Sequence, residues 1–318
     1  MNGISCFGKR NQVARLGVLL LAAALVVGVM GCDVPAPAPS LDLEIRTWHD
    51  LDAVRDNLGG RHLLMNDLDA TTAGYQELAS GAADGGKGWR PLGSPAHAFT
   101  GSFDGQGFEI RDLVIDRPVE NWVGLFSVVG GAGVVENVAV VSAAVRGYGV
   151  VGGLVGANTG SVRYSCFSGT VTGGFETAGG LAGFVSQGGT VANSYFSGNL
   201  TGEKHVGGLV GQNEGGVSYS YSTGTVTGEE NVGGLIALNV GTVSNSFWDA
   251  ESSAIEASDG GTGKTTAEMQ DIATFTDTET EGLDEPWDIV VVAQGDRNTA
   301  YVWNIVDGEG YPFLSWQP

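Results

Sequence analysis

Three glutamates recur at equivalent places along the chain, and their spacing makes them candidates for metal binding. Glu176, Glu203 and Glu229 follow one another at intervals of 27 and 26 residues. If one interval is one coil of a stacked structure, the three carboxylates lie about 5 Å apart on successive coils. Such a row would offer calcium oxygen ligands. The glycine–aspartate nonapeptide of calcium-binding β-rolls is absent from the sequence, so a solvated turn is the favoured interpretation and calcium the alternative.

Other motifs provide no catalytic or cofactor site. Residues 258–265 end like a phosphate-binding loop, but Ser258 replaces its first glycine, and a glycine-rich turn is the favoured interpretation. Asp104, in a Phe-Asp-Gly sequence, is typical of a turn. The sequence has neither an H-E-x-x-H zinc motif nor a G-x-S-x-G nucleophile elbow. The histidines are scattered: His49, His62, His97 and His205. We therefore predict no catalytic residue, no cofactor and no nucleotide.

The first 31 residues are typical of a bacterial lipoprotein signal peptide. Three basic residues precede an apolar run, residues 16–29, which is shorter than the about 20 residues that span a bilayer. The run ends in Val-Met-Gly-Cys, and this sequence resembles a lipobox with Cys32 as the lipidated residue. An ordinary secretory signal with a nearby cysteine is the alternative. We expect an exported lipoprotein at the outer membrane or cell surface, anchored through Cys32.

The segment after this cysteine is rich in proline and alanine. Residues 32–41 are therefore expected to form an extended tether. If the signal is removed and Cys32 is lipidated, Cys166 has no cysteine left with which to form a disulfide. The formal net charge of the whole chain is −21. Such a charge argues against binding to nucleic acid or, beyond the lipid anchor, to anionic lipid.

A repeat of about 27 residues organises the rest of the chain. Gly-Gly-Leu occurs four times, and a Val-Gly-Leu-Phe variant precedes it. The five leucines are Leu125, Leu154, Leu181, Leu209 and Leu235. Each unit contains three β-type segments separated by turns, where Gly160, Gly169 and Gly173 are expected to supply positive φ. This periodicity predicts an all-β protein, a right-handed parallel β-helix (β-solenoid) with coils of about 27 residues.

Stacking of the coils predicts three columns of side chains in the core. The leucines of the repeat form the first column. The second contains Val162, Val191, Val217 and Val243. The third contains Cys166, Tyr195, Tyr221 and Phe247, where Cys166 is expected to be a buried small hydrophobe rather than a reactive thiol.

Both ends of a solenoid need a cap, because an open coil exposes strand edges and core. Residues 42–98 are the predicted N-terminal cap, with a short helix that begins after Thr47. Residues 99–250 form the predicted solenoid, and residues 251–318 the C-terminal cap. In this second cap we expect a short helix and two strands, with three aromatic residues that cover the last coil: Trp303, Phe313 and Trp316.

The repeat resembles the GLUG motif of bacterial surface proteins. The units G-G-L-V-G and T-V-x-N-S-Y, the stretch F-T-G-S-F-D-G-Q-G-F-E-I at 99–110 and the segments 247–249, 260–269 and 311–314 support this resemblance. Together they cover residues 44–318. The resemblance implies a solenoid of adhesin-like and other exported bacterial proteins, and it implies no single activity.

Two functions are compatible with these features. The favoured one is a non-enzymatic, surface-anchored adhesion or binding scaffold whose partner is a polysaccharide, the extracellular matrix or an envelope protein. Its basis is the long repetitive face of a solenoid. The alternative is a polysaccharide-active enzyme, a lyase or glycosidase, by analogy of fold. Such an enzyme would require paired carboxylates, or a carboxylate with basic partners, on adjacent coils.

Overall fold

The computed structural model describes residues 42–317. The predicted signal peptide, Cys32 and the predicted tether lie outside the described residues. Among residues 42–317, no helix is both long and apolar enough to cross a membrane.

The described chain is a parallel β-solenoid, as the repeat predicts. Each full coil contains four strands, which we number as the first to fourth sheets in the order in which a coil passes through them. Equivalent strands of successive coils pair in parallel in all four sheets. The right-handedness expected from crossover preference stays a prediction.

The strands of the first sheet are Phe126–Val129, Val155–Asn158, Ala182–Val185, Val210–Asn213 and Ile236–Asn239. Those of the second are Leu43–Ile45, Arg61–Leu64, Ser102–Asp104, Val134–Glu136, Ser161–Arg163, Thr190–Ala192, Gly216–Ser218 and Thr242–Ser244. Those of the third are Glu109–Arg111, Val114–Asp116, Ala139–Arg146, Cys166–Thr172, Tyr195–Thr201, Tyr221–Ser222, Thr225–Thr227, Phe247–Asp249 and Thr262–Lys264. Those of the fourth are Val150–Gly152, Thr177–Gly179, Lys204–Gly207 and Glu230–Gly233.

The prediction of three strands per coil is wrong, because two of the predicted segments each contain a corner. The Gly-Gly-Leu segment ends a strand of the fourth sheet and begins one of the first. The T-V-x-N-S-Y segment bends between the second and third sheets. The bend residue has positive φ and is not glycine: Asn137, Tyr164, Asn193, Tyr219 and Asn245. Of the three glycines expected to have positive φ, only Gly169 does.

A ladder of serine hydroxyls stabilises this bend. Ser194 Oγ donates to the carbonyl of Ala192 at 2.8 Å and accepts from the backbone N–H of Ser165 at 3.2 Å. Ser165, Ser220 and Ser246 make the same donation two residues back along the chain. The residue with positive φ interrupts the sheet hydrogen bonding of the neighbouring backbone N–H and C=O groups. The serine hydroxyls pair with these groups, because a buried N–H without a partner would destabilise the fold.

The leucine and valine columns lie in the core as predicted. Leu154, Leu181, Leu209 and Leu235 are fully buried, and Val162, Val191, Val217 and Val243 pair in register. The third column is placed wrongly by the prediction. Cys166, Tyr195, Tyr221 and Phe247 do stack in register, but they face outward from the solenoid wall. Their chain neighbours Phe167, Phe196 and Trp248 point inward, because side chains alternate along a strand.

The N-terminal helix is confirmed. It spans Trp48–Ala53, with Thr47 and Asp50 forming a capping box, and a 3₁₀ turn at Val54–Asn57 follows it. Two further short helices precede the repeats, Tyr75–Leu78 and Ala83–Gly86. The helix predicted near residue 266 is two helices, and another helix lies before it: Ala250–Ser253, Thr266–Met269 and Ala273–Thr276.

The C-terminal segment, residues 266–317, forms a strap along the outer face of the third sheet. A small sheet of Ile289–Val291, Trp303–Ile305 and Phe313–Leu314 packs on the outward column of the third sheet. Trp303 Nε1 donates to Asn193 Oδ1 at 3.1 Å, and Gln317 Nε2 donates to Tyr195 Oη at 2.7 Å.

The prediction that Trp303, Phe313 and Trp316 cover the last coil is therefore wrong. Phe313 pairs with Asn304 inside the strap, and the Trp316 side chain reaches the first coils, near Gly107. A different segment covers the open end of the last coil. Ala257 O accepts from Gly234 N–H, and Asp259 N–H donates to Ile236 O.

Candidate functional site

An open groove of about 370 Å³, the flank groove, runs along the solenoid beside the fourth sheet. Its lining residues are Trp122, Val150, Phe175, Glu176, Thr177, Phe184, Lys204, His205 and Gln212. They belong to four successive coils, because Val123 bridges to Val151, Thr177 pairs with Val150, and Ala178 pairs with Val206. The groove is therefore parallel to the direction in which the coils stack.

An exposed aromatic pair lies at this groove, with Phe175 in its lining and Tyr148 beside Phe175. Phe175 stacks on Tyr148 of the preceding coil, with ring centroids 6.1 Å apart and planes within 10°. Phe175 is 47% exposed and Tyr148 is 45% exposed. Both follow the corner between the third and fourth sheets, where backbone hydrogen bonding joins the coils through Phe175 N–H and Tyr148 O at 2.7 Å. Aromatic side chains that are exposed on the surface of a regular β-solenoid are typical of a binding site.

The polar side chains of the groove lie beside these rings. Lys204 Nζ is 5.1 Å from the centroid of Phe175, a cation–π geometry, and 3.4 Å from Glu230 Oε2. His205 Nδ1 lies 3.3 Å from Asn231 Nδ2 on the next coil. Gln212 aligns with Phe184 in the first sheet. The groove thus combines hydrogen-bonding side chains with apolar rings.

The predicted row of three carboxylates does not form. Glu203 and Glu229 lie on adjacent coils, with Glu203 O accepting from Glu229 N–H at 3.0 Å. Glu176 is not at the equivalent position. Because Ala178 pairs with Val206, Glu176 aligns with Lys204 of the next coil and not with Glu203. Among residues 42–317, no three His, Cys, Asp or Glu side chains are placed to hold a metal ion. The calcium interpretation therefore loses the geometry on which it depended.

The other residues considered from sequence have structural roles. Ser258 Oγ accepts from the N–H groups of Leu235 and Ile236 at the end of the last coil. Asp104 accepts from Gln106 N–H and Asn137 Nδ2, as expected of a turn. Cys166 is buried, and burial raises the pKa of its thiol to about 12, which favours the protonated form.

The histidines do not come together. His49 Nε2 lies 2.6 Å from Glu77 Oε2 on the surface. His62 is buried, its ring contacts the carbonyl of Asn57, and burial lowers its pKa. His97 lies in a second groove, described next, and His205 in the flank groove.

A second groove of about 510 Å³, the upstream groove, adjoins the first. Trp122 lines both. The remaining lining residues of the upstream groove are Arg55, Leu58, Arg90, Pro91, Gly93, Ser94, Pro95, His97, Glu120, Asn121 and Ser127. The bridge between Leu92 and Phe126 places the lining segment 90–97 one coil before Trp122, whereas Glu120, Asn121 and Ser127 are on the same coil as Trp122. Sequence reasoning missed both grooves, because the residues of the flank groove occupy variable positions of the repeat and most of those of the upstream groove precede the repeats.

Comparison with known proteins agrees with this architecture. The family model of the GLUG motif matches residues 202–227. Halomucin of Haloquadratum walsbyi is 40% identical over 112 residues, which are 35% of this chain and 1% of halomucin. A protein of Evansella cellulosilytica, provisionally named a Gly-rich membrane protein, is 37% identical over 123 residues, which are 37% of this chain and 13% of the relative. The chain therefore matches only a small part of either relative.

A solved structure has the same fold. A chain from Bacteroides ovatus, provisionally described as an immunoglobulin A1 protease, superposes with a TM-score of 0.58 over 86% of this chain and 92% of its own length. The two sequences are 17% identical. At that identity the likeness concerns the fold and not the activity.

Proposed function

We propose that this GLUG-repeat chain is a non-enzymatic binding scaffold at the cell surface, and that the flank groove holds a polysaccharide chain. The expected lipid on Cys32 and the following tether would attach the solenoid to the membrane and hold it away from the surface. A relative named as a membrane protein supports this location.

The observation that supports this function most is the run of Trp122, Phe175 and Phe184 along the flank groove. Aromatic rings offer flat apolar faces of the kind that pack against the faces of sugar rings. Successive coils are about 4.8 Å apart, close to the length of one sugar unit in an extended chain. A polysaccharide parallel to the solenoid axis would therefore meet about one coil per sugar.

The polar groups of the groove also suit a sugar ligand. Glu176 accepts hydrogen bonds, Lys204 donates them, and Gln212 does both. A few such groups in a mostly apolar groove fix the orientation of a hydroxyl-rich ligand. An enzymatic role has less support, because Glu176 is the one carboxylate in the described lining of the flank groove. Glycoside hydrolysis generally needs two.

Binding assays on the chain without its predicted signal peptide, here called the mature chain, test this function. We expect at least one of a panel of soluble neutral and acidic polysaccharides to bind in isothermal titration calorimetry. Phe175→Ala is expected to weaken that binding about tenfold, because truncating a central aromatic contact typically costs about 1 to 2 kcal/mol or more. Its exposure means that the substitution leaves the core intact.

Tyr301→Ala is the matched control. Tyr301 is 39% exposed, and it lies on the strap rather than in the lining of either groove. Its replacement is expected to leave the affinity unchanged. Failure of every polysaccharide to bind, release of reducing ends from a bound polymer, or equal losses in the two variants would contradict the proposal.

A further inference from the structure

The upstream groove differs from the rest of the molecule in charge. The chain has a formal net charge of −21 with histidine counted as neutral, yet two arginines line this groove: Arg55, which is paired with Asp52, and Arg90. Its one acidic lining residue is Glu120. Glu120 Oε1 accepts from Arg117 Nη1 at 3.0 Å and lies 3.5 Å from Lys87 Nζ, so its charge is already compensated.

Arg90 is the cation available to a ligand in this groove. It is exposed, and within residues 42–317 it makes no ion pair, whereas most other arginines do. An unpaired guanidinium presents several N–H donors in a plane. That geometry matches the oxygens of a carboxylate or a sulfate.

Arg55 fixes the backbone that presents Arg90. Its guanidinium lies 4.9 Å from the centroid of Trp89, and its Nη1 donates to Pro91 O at 2.8 Å. Its other amino group donates to the carbonyl of Arg90 itself. Burial lowers the pKa of Arg55, Asp52 raises it, and the charges of Arg90 and Arg117 lower it further. Arg55 thus holds the backbone carbonyls of Arg90 and Pro91, while its own charge is paired with Asp52.

Trp122 connects this positive region to the flank groove. Because the ring lines both grooves, a polymer that stacks on Trp122 passes into the upstream groove at one end and toward Phe184 at the other. We infer that the polysaccharide bound by this chain is acidic, and that Arg90 binds a carboxylate or sulfate group of a sugar in the upstream groove. This inference depends on the proposed function of the flank groove.

Matched polymers test the inference. A neutral glucan, the same glucan oxidised to carry C6 carboxylates, and its sulfated derivative are titrated against the mature chain at about 0.15 M salt, where the Debye length is about 8 Å. Long-range repulsion by the acidic chain is then largely screened. At least one acidic form is expected to bind about tenfold more tightly than the neutral form, and the stronger of the two identifies the anionic group.

Arg90→Ala is expected to abolish this tenfold preference, so that the affinity for the acidic form falls to that of the same variant for the neutral glucan. Arg297→Ala is the matched control, since Arg297 is likewise exposed and lies on the strap. Equal affinity for neutral and acidic polymers, or equal effects of the two variants, would overturn the role of Arg90 and leave the proposed function standing. Binding of none of the three polymers would overturn both.

Discussion

Gly180→Ala is expected to lower the free energy of unfolding by about 3 kcal/mol, because the coils cannot stack around an added methyl group. A Cβ at this position would lie 2.2 Å from Cγ of Phe196 and 2.3 Å from the carbonyl oxygen of Gly208 on the next coil. The ring is fully buried, and the carbonyl accepts the N–H of Gly180 at 3.2 Å. Neither neighbour can move without breaking the stack. Urea denaturation measures the loss.

Gly216→Ala is the matched control for this prediction. Gly216 lies in a strand of the second sheet, and a Cβ there would meet nothing nearer than Thr242 Oγ1 at 3.4 Å. Equivalent positions hold Thr190 and Thr242. The substitution is expected to be neutral or to stabilise by up to about 1 kcal/mol, because alanine restricts the unfolded chain. Similar losses in both variants would show that the second glycine of the repeat has no special packing role.

Trp303→Ala is expected to release the strap at a cost of about 3 to 5 kcal/mol. The indole is fully buried, with ring centroids 5.7 Å from Tyr221 and 5.0 Å from Trp287. Its loss also leaves Asn193 Oδ1 without the hydrogen bond from Trp303 Nε1. Hydrogen exchange should show faster exchange in strap residues 289–314 and unchanged protection in the first sheet, because the two hydrophobic clusters are separate.

Tyr301→Ala provides the comparison, since this partly exposed ring is on the same strap and outside its buried cluster. It is expected to leave exchange almost unchanged. If Trp303→Ala loses protection equally in the strap and in the first sheet, the two unfold as one cooperative unit. That result would contradict the expected separate release of the strap.

A second contact secures the strap to the last coil. Asp249 is fully buried, and its Oδ2 accepts from Tyr311 Oη at 2.6 Å and from Thr266 Oγ1 at 2.8 Å. Burial alone would raise the pKa of Asp249, but these hydrogen bonds and those from backbone N–H groups lower it on balance. The carboxylate is thus held in its charged form where the strap begins.

The repeat period was sufficient to predict the solenoid and its two aliphatic columns. Leu181 and Val191 recur at fixed spacing with their equivalents, and stacking coils bring equivalent residues together. The third column was misplaced because Tyr195 and Phe196 are both apolar. A pair of adjacent aromatic residues does not reveal which of them faces the core, and the strap residues that contact Tyr195 are far away in sequence: Trp303 and Gln317.

The grooves depend on residues that the repeat does not specify. Phe184 aligns with Ala157 and Gln212, so its aromatic ring is a departure from the repeat rather than part of it. Trp122 and Phe175 are two coils apart, and the register of the fourth sheet places both in the lining of one groove. Large aromatic residues at positions that vary between units were the available signal, and the shape of the groove required the structure.

Residue-level footprinting of the bound polysaccharide tests the central claim most directly. The mature chain is labelled with a photochemical carbene probe, with and without the polymer that binds it most tightly, and the labelled residues are identified by mass spectrometry. We expect reduced labelling of Trp122 and Phe175, with Tyr301 and the exposed Val240 unchanged. Protection of Tyr301 or Val240 with full labelling of Trp122 and Phe175 would contradict polysaccharide binding in the flank groove.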